Sequence, residues 1–84
     1  MATDHRQDEI RAGWHVRIHR RAAGDQDPHA IYCVVRELDI GRAEAAAKVN
    51  FRVSDDRLVQ VWKPAFEGEI VRRQMAPGDV QRVV

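Results

Sequence analysis

Apolar and polar side chains alternate strictly from Trp14 to Ile18, in the segment WHVRI. Because successive side chains of an extended chain point to opposite sides, Trp14, Val16 and Ile18 share one side and the residues between them share the other. Period two with aromatic and β-branched members is typical of a half-buried strand. We therefore expect Trp14, Val16 and Ile18 to lie in the core, and the opposite side of this strand to face water.

The segment HAIYCVVREL, residues 29–38, has two interpretations. As a helix it has Asp27 at the N-cap and Pro28 at the first helical position, followed by an apolar face at helical spacing. As a strand it has a centre, residues 31–35, made almost wholly of residues that favour β-structure. We favour the strand because the turn-rich residues 22–28 would let it pair with the first strand as a hairpin.

The segment DIGRAEAAAKVNF, residues 39–51, has the strongest local helix propensity of the chain, because its centre consists of alanines and long charged residues. Helical spacing predicts one apolar stripe on this helix. The members of the stripe are Ile40, Ala43, Ala47 and Phe51. Small alanine side chains would let the helix approach a sheet closely.

Shorter alternating segments follow the helix. Residues 58–62, LVQVW, predict a strand. Its two faces carry Val59 with Val61 and Leu58 with Trp62. Pro64 is expected to end this strand because proline has no amide hydrogen to donate. Residues 68–75, GEIVRRQM, and residues 80–84, VQRVV, predict two further short strands, the last with Val80 facing inward.

These elements predict an α+β fold: one alanine-rich helix packed on an antiparallel or mixed sheet of about four strands. A chain of 84 residues forms one small domain, and at that size about 60% of the unfolded surface can be buried. Residues 1–12 hold only one large apolar side chain, Ile10, and predict a flexible or loosely docked N-terminal lead. Residues 13–84 are then the single domain. If residues 29–38 are helical instead, the centre of the protein becomes mostly α.

Composition places the chain among ordinary soluble proteins, with 44% hydrophobic and 32% charged residues. No run approaches the ~20 apolar residues that a membrane helix needs, and the first ten residues lack the apolar stretch of a signal peptide. We therefore expect a cytoplasmic protein without a membrane partner. The net charge of +1 provides no overall field that would attract nucleic acid.

The charge is nevertheless unevenly distributed. Residues 1–24 and 70–84 are each net positive, whereas residues 25–69 are net negative. If the two ends meet in the fold, they form one basic face that could contact a polyanion or a protein partner. The candidate binding residues of that face are His15, Arg17, His19, Arg20, Arg21, Arg72 and Arg73. Against nucleic acid, the outer positions of the first strand offer no tyrosine or phenylalanine for stacking, and an edge strand kept soluble by charge explains them equally well.

Catalytic and metal-binding patterns are not apparent. His15 and His19 would stand about 13 Å apart along a strand, too far to share one zinc ion, so no metal or other cofactor is expected. The single cysteine, Cys33, lies in an apolar run and is expected to be a buried thiol. Its pairing with His29 as a nucleophile and base would exceed hydrogen-bond reach along a strand. The glycines are isolated and form no phosphate loop. We therefore expect neither an enzyme nor a small-molecule substrate.

The sequence leads to three hypotheses of function. The first is a small, bacterial-type, non-enzymatic binding module that contacts another protein through a sheet edge or as a homodimer. The second is a nucleic-acid-binding regulator that uses the arginine-rich face. The third is a helix-turn-helix protein built from residues 42–62. In that case Asp55 and Asp56 would begin the recognition helix, where phosphates must approach, and the turn would lack glycine.

Overall fold

The computed structural model describes residues 10–23 and 26–83. The elements in chain order are β1 (Arg11–Arg20), β2 (Ile31–Val35), α1 (Ile40–Phe51), β3 (Arg57–Phe66), α2 (Glu67–Arg72) and β4 (Val80–Val83). These four strands form one antiparallel sheet in the order β3-β1-β2-β4. This arrangement confirms the predicted α+β class. In the described ranges no helix is long and apolar enough to cross a membrane.

The N-terminal lead and the first loop are described only in part. Residues 1–9 of the predicted lead lie outside the described residues, as do Gly24 and Asp25 of the predicted turn. Strand β1 begins at Arg11, two residues before the predicted start of the domain at Gly13. Arg11 and Ala12 are therefore part of the sheet, and Arg11 pairs with Phe66 of β3.

The prediction of a strand rather than a helix in residues 29–38 is confirmed, since β2 pairs with β1 as a hairpin. Asp27, the expected cap of the helical alternative, instead holds the hairpin loop. Its carboxylate accepts hydrogen bonds from the backbone amides of Arg20 at 2.7 Å and His29 at 2.9 Å. The carboxylate thereby links the end of β1 to the residues that precede β2 and satisfies two backbone amides.

Helix α1 lies on one side of the sheet. It begins after the N-cap Asp39, whose Oδ1 accepts a hydrogen bond from the Arg42 amide at 2.9 Å. Ala43 and Ala47 are fully buried against the strands, as predicted. Ile40 was expected in the same stripe, but it is 47% exposed. It occupies the first helical position, ahead of the turns that reach the core.

The chain after residue 62 differs from the prediction in two ways. Pro64 does not end β3, which continues to Phe66. This strand is at the edge of the sheet, where a residue without an amide hydrogen can be accommodated. Residues 67–72 form the helix α2 rather than a strand. Acidic side chains in its first turn and a basic one in its last favour a helix, and Ile70 is buried.

The sheet has a core on both sides, which the alternation in β1 did not predict. Beneath α1 the fully buried cluster is Val16, Ile18, Cys33, Val35, Ala43 and Ala47. On the opposite side α2 contributes to a second cluster of Val34, Ala65, Ile70 and Met75. Val16 and Ile18 are therefore core residues as predicted, with Trp14 packed beside them.

The prediction that the other side of β1 faces water is wrong. His15 is only 8% exposed and His19 only 2% exposed. Strand β1 is an interior strand paired on both sides, so the interpretation of a charged edge strand is also wrong. The helix-turn-helix hypothesis is wrong as well, because its second helix would consist of residues that form the strand β3.

Candidate binding face

Aromatic, basic and amide side chains that are far apart in the sequence lie together on the side of the sheet opposite α1. We call it the open face. Its strand positions include His15, Arg17 and His19 of β1, Tyr32 and Val34 of β2, Leu58, Gln60, Trp62, Lys63 and Ala65 of β3, and Gln81 and Val83 of β4. Helix α2 covers one end of it, over Val34. The other end carries exposed aromatic and polar side chains.

Two aromatic rings meet on the open face although they come from different strands. Trp62 and Tyr32 lie edge to face, with ring centroids 6.3 Å apart and planes at 77°. Trp62 is 51% exposed and Tyr32 is 41% exposed. A register shift in β3, where Lys63 pairs with His15 but Val61 pairs with Val16, makes Trp62 the extra residue of a bulge.

The Trp62 ring has two further neighbours. The rings of His15 and Trp62 lie edge to face, with centroids 6.0 Å apart and planes at 66°. The ammonium group of Lys63 lies 4.6 Å from its centroid, within the range of a cation–π interaction. Trp62 therefore has a buried histidine and a cation as neighbours while about half of its surface remains accessible.

Gln60 links two of the predicted site residues. Its Oε1 accepts a hydrogen bond from Nη2 of Arg17 at 2.6 Å, and Nε2 of His19 lies 3.2 Å from the same oxygen. Gln60, Arg17 and Tyr32 pair in one row across β3, β1 and β2. Directly opposed residues in such a row are close enough for their side chains to interact.

Glu69 of α2 ties the covered end of the open face together. Its carboxylate contacts Nε2 of His15 at 2.7 Å and accepts a hydrogen bond from Nε of Arg73 at 3.0 Å. Arg73 also donates to Oε1 of Gln81 on β4 at 3.0 Å. Partial burial raises the pKa of Glu69, but the hydrogen bonds from His15 and Arg73 outweigh it and hold that pKa below its ordinary value.

The predicted basic residues do not all converge. Those on the open face are His15, Arg17, His19 and Arg73, while Arg72 is exposed on α2. Arg20 and Arg21 lie at the end of β1 beside acidic turns. Arg20 pairs with Asp27 at 3.3 Å, and Nε of Arg21 donates to the carbonyl oxygen of Asp55 at 3.0 Å.

Sequence reasoning missed the three residues that give the open face its character, Tyr32, Gln60 and Trp62. The alternation in residues 58–62 placed Trp62 opposite the core valines correctly, and the strand interpretation of 31–35 implied alternation for Tyr32. The sequence does not show the register of the β1–β2 hairpin or the bulge in β3, and these bring the rings of Tyr32 and Trp62 into contact.

Other parts of the molecule offer less chemistry. Cys33 is fully buried under α1, and this burial raises the pKa of its thiol to about 11. Within residues 10–23 and 26–83, no three side chains of the metal-ligating types lie together. An open groove of about 450 Å³ runs between α1 and β4. Its one acidic lining residue, Asp79, already accepts a hydrogen bond from the Ala76 amide.

The arrangement on the open face can hold a planar ligand against aromatic rings beside cationic and amide groups. No protein-family model, curated protein or solved structure matches this chain, so its function must be argued from this face.

Proposed function

We propose that this chain is a non-enzymatic binding module whose open face holds single-stranded nucleic acid, with bases stacked on Trp62 and Tyr32. The observation that carries the proposal is the meeting of these two exposed rings on one sheet face. Lys63 lies beside Trp62, and Arg17 lies in the same row as Tyr32. The sequence alone offered basic residues on that side without an aromatic partner.

Stacking provides affinity without requiring a particular base. Aromatic side chains that stack on bases contribute about 1–3 kcal/mol per base, because every base has a π-face. Unpaired bases are needed for such contacts, since the bases of a duplex are already stacked on one another. The open face should therefore bind single strands and not duplexes.

The charges on the open face suit a polyanion. None of its strand positions is acidic. The carboxylate of Glu69 reaches this side from α2, but His15 and Arg73 engage it. Lys63 adds a positive charge directly beside Trp62. With a net charge of only +1 for the chain, stacking should contribute more to affinity than phosphate contacts, and the salt dependence should be shallow.

The test is fluorescence anisotropy with labelled single strands and the matching duplex at low salt. Single strands should bind and the duplex should not. Trp62→Ala and Tyr32→Ala should each weaken binding by about 5- to 150-fold, the equivalent of about 1–3 kcal/mol. Val49→Ala is the control, because Val49 is an exposed apolar residue of α1 on the other side of the sheet. Absence of binding at low salt, or wild-type affinity in Trp62→Ala, would overturn the proposal.

A matched pair of lysine variants tests the electrostatic part. Lys63→Ala should weaken binding and reduce the slope of log affinity against log salt by about 1. Lys48→Ala, which removes the same charge from α1, should change neither quantity. Circular dichroism of each variant checks that the fold is retained.

A protein partner is the alternative outcome of these tests. Trp and Tyr are also frequent hot-spot residues of protein interfaces. The sheet edges are less suitable, because β3 carries Lys63 and Pro64 and β4 has only four residues, features that discourage strand addition. Light scattering that detects a dimer, dissociated by Trp62→Ala, would assign the open face to self-association instead of nucleic acid.

A further inference from the structure

We infer that the open face binds two adjacent bases in a separated state, one stacked on Trp62 and the other on Tyr32, and thereby breaks one stacked step of the strand. This inference rests on the proposed function and states which form of single strand the same site selects. The observation that carries it is the angle between the two rings, whose planes meet at 77°.

This angle excludes a continuous stack of bases across the two rings. A base that stacks on an aromatic ring lies roughly parallel to that ring. Bases on Trp62 and Tyr32 therefore lie nearly perpendicular to each other, whereas adjacent bases of a stacked single strand are nearly parallel. The ring centroids are 6.3 Å apart, a distance that adjacent nucleotides of an extended strand can span. Both rings can hold neighbouring bases only if those bases no longer stack on each other.

The two rings are held in these planes by the surrounding fold. Tyr32 belongs to β2, an interior strand that pairs with β1 and β4. Trp62 packs against the ring of His15, which is buried and contacts Glu69. Both rings nevertheless keep a large part of their surface accessible. The ammonium group of Lys63 beside Trp62 is at the end of a flexible, exposed side chain and can move away for a base.

Breaking the stack between two bases costs free energy, and the cost depends on the bases. Adenines stack strongly on one another in a single strand, which gives them an intense circular dichroism band, whereas thymines stack weakly. Thymines therefore report the gain from the second ring with little opposing cost, and adenines report whether the stack is broken. Strands of abasic nucleotides that carry one base, or two adjacent bases, keep length and charge constant.

Anisotropy at low salt with such strands and the full chain tests whether both rings are used. Two adjacent thymines should bind more tightly than one by about 5-fold or more, because a second base gains a ring of its own. Tyr32→Ala should reduce this ratio to about 2, the statistical factor for two equivalent bases that share one ring. Tyr32→Phe, which keeps an aromatic ring at this position, is the control and should retain the wild-type ratio.

Circular dichroism tests whether the bases come apart. When saturating protein binds the strand with two adjacent adenines, the band that arises from their stacking should be lost once the protein spectrum is subtracted. In Tyr32→Ala only one ring remains, so the second adenine can stay stacked on the first and the band should persist. Trp62→Ala removes the other ring and should give the same result.

The outcomes separate this inference from the proposed function. A band that is lost with the wild type and persists with both alanine variants supports both proposals. A band that persists in the wild-type complex, one that is lost equally with Tyr32→Ala, or a wild-type thymine ratio in Tyr32→Ala overturns the separated step and leaves single-strand binding intact. Absence of binding to unmodified oligo-dT at low salt overturns both proposals.

Discussion

Nε2 of His15 in β1 lies 2.7 Å from Oε1 of Glu69 in α2, although 54 residues separate them in the chain. The contact links α2 to β1, an interior strand of the sheet. It also lies beside the proposed binding surface, because the rings of His15 and Trp62 lie edge to face. The second oxygen of Glu69 is bound to Arg73, so a single carboxylate connects the helix, the sheet and the wall of the proposed site.

Removal of that carboxylate should destabilise the protein. Glu69→Ala leaves the buried His15 without its partner and releases Arg73, and we expect a loss of about 2 kcal/mol, since hydrogen bonds to charged groups are worth about 1.5–3 kcal/mol. For a chain of this size each kcal/mol lowers Tm by about 4–8 °C. Thermal denaturation followed by circular dichroism measures the loss.

Glu67→Ala is the matched control for this variant. Glu67 is also in the first turn of α2, so its removal costs only the interaction with the helix dipole, about 0.3–1 kcal/mol. Equal Tm values for the two variants would show that the contact with His15 contributes nothing to stability.

The lowered pKa of Asp27 predicts how the stability of the protein depends on pH. Hydrogen bonds from the backbone amides of Arg20 and His29 lower its pKa to about 2, below the value of about 3.9 for an unfolded chain. A depressed native pKa means that the stabilisation is fully present above the unfolded value and is lost as pH falls towards the native one. The Tm difference between wild type and Asp27→Asn should therefore be largest above pH 4 and shrink between about pH 4 and 2.

A variant in the neighbouring turn controls for charge. Asp55→Asn removes an exposed carboxylate near the same end of β1 and should lower Tm less than Asp27→Asn at neutral pH. A Tm difference for Asp27→Asn that stayed constant from neutral pH to pH 2 would contradict the assigned role of its carboxylate.

Gly13 allows β1 and β2 to approach closely at one end of the hairpin. A Cβ at this position would overlap the carbonyl oxygen of Val35 and lie 3.1 Å from Cα of Arg36. These are backbone atoms of the neighbouring strand, which cannot move without disturbing the pairing. Gly13→Ala should cost about 3 kcal/mol, measured by urea denaturation.

Gly78→Ala separates steric overlap from backbone strain. Gly78 has a φ of +85°, but no atom lies within 4 Å of a Cβ built there. Its substitution should cost about 1–2 kcal/mol, because only the left-handed conformation is penalised. If Gly13→Ala proved as stable as Gly78→Ala, the close approach at Val35 would not constrain the fold.

The buried thiol of Cys33 should be unreactive in the native protein. Burial raises its pKa to about 11, so little thiolate forms at neutral pH, and the fully buried sulfur is not accessible to reagents. A chromogenic disulfide reagent should modify it slowly in buffer and rapidly in denaturant. Rapid modification of the native protein would support the nucleophile hypothesis that its burial disfavours.

Local patterns predicted much of the fold because they report on local causes. Alternation from Trp14 to Ile18 identified β1, and alanine content identified α1. Residues 67–72 form a helix where the pattern predicts a strand, because the segment is short and its helix depends on the burial of Ile70 against other elements. Pro64 does not end β3, because the effect of a proline depends on whether its strand is interior or at an edge, which the order of strands decides.

The sequence by itself determined that β1 is extended, that α1 is helical and which side of β1 packs beneath α1, since periodicity and propensity act over a few residues. Only the tertiary structure decided what covers the other side of β1. His15 is buried by contacts with Trp62 and Glu69, and His19 lies beside Gln60, all more than forty positions away. The contact between the rings of Trp62 and Tyr32 likewise depends on the hairpin register and on the bulge in β3, which arise from long-range strand pairing.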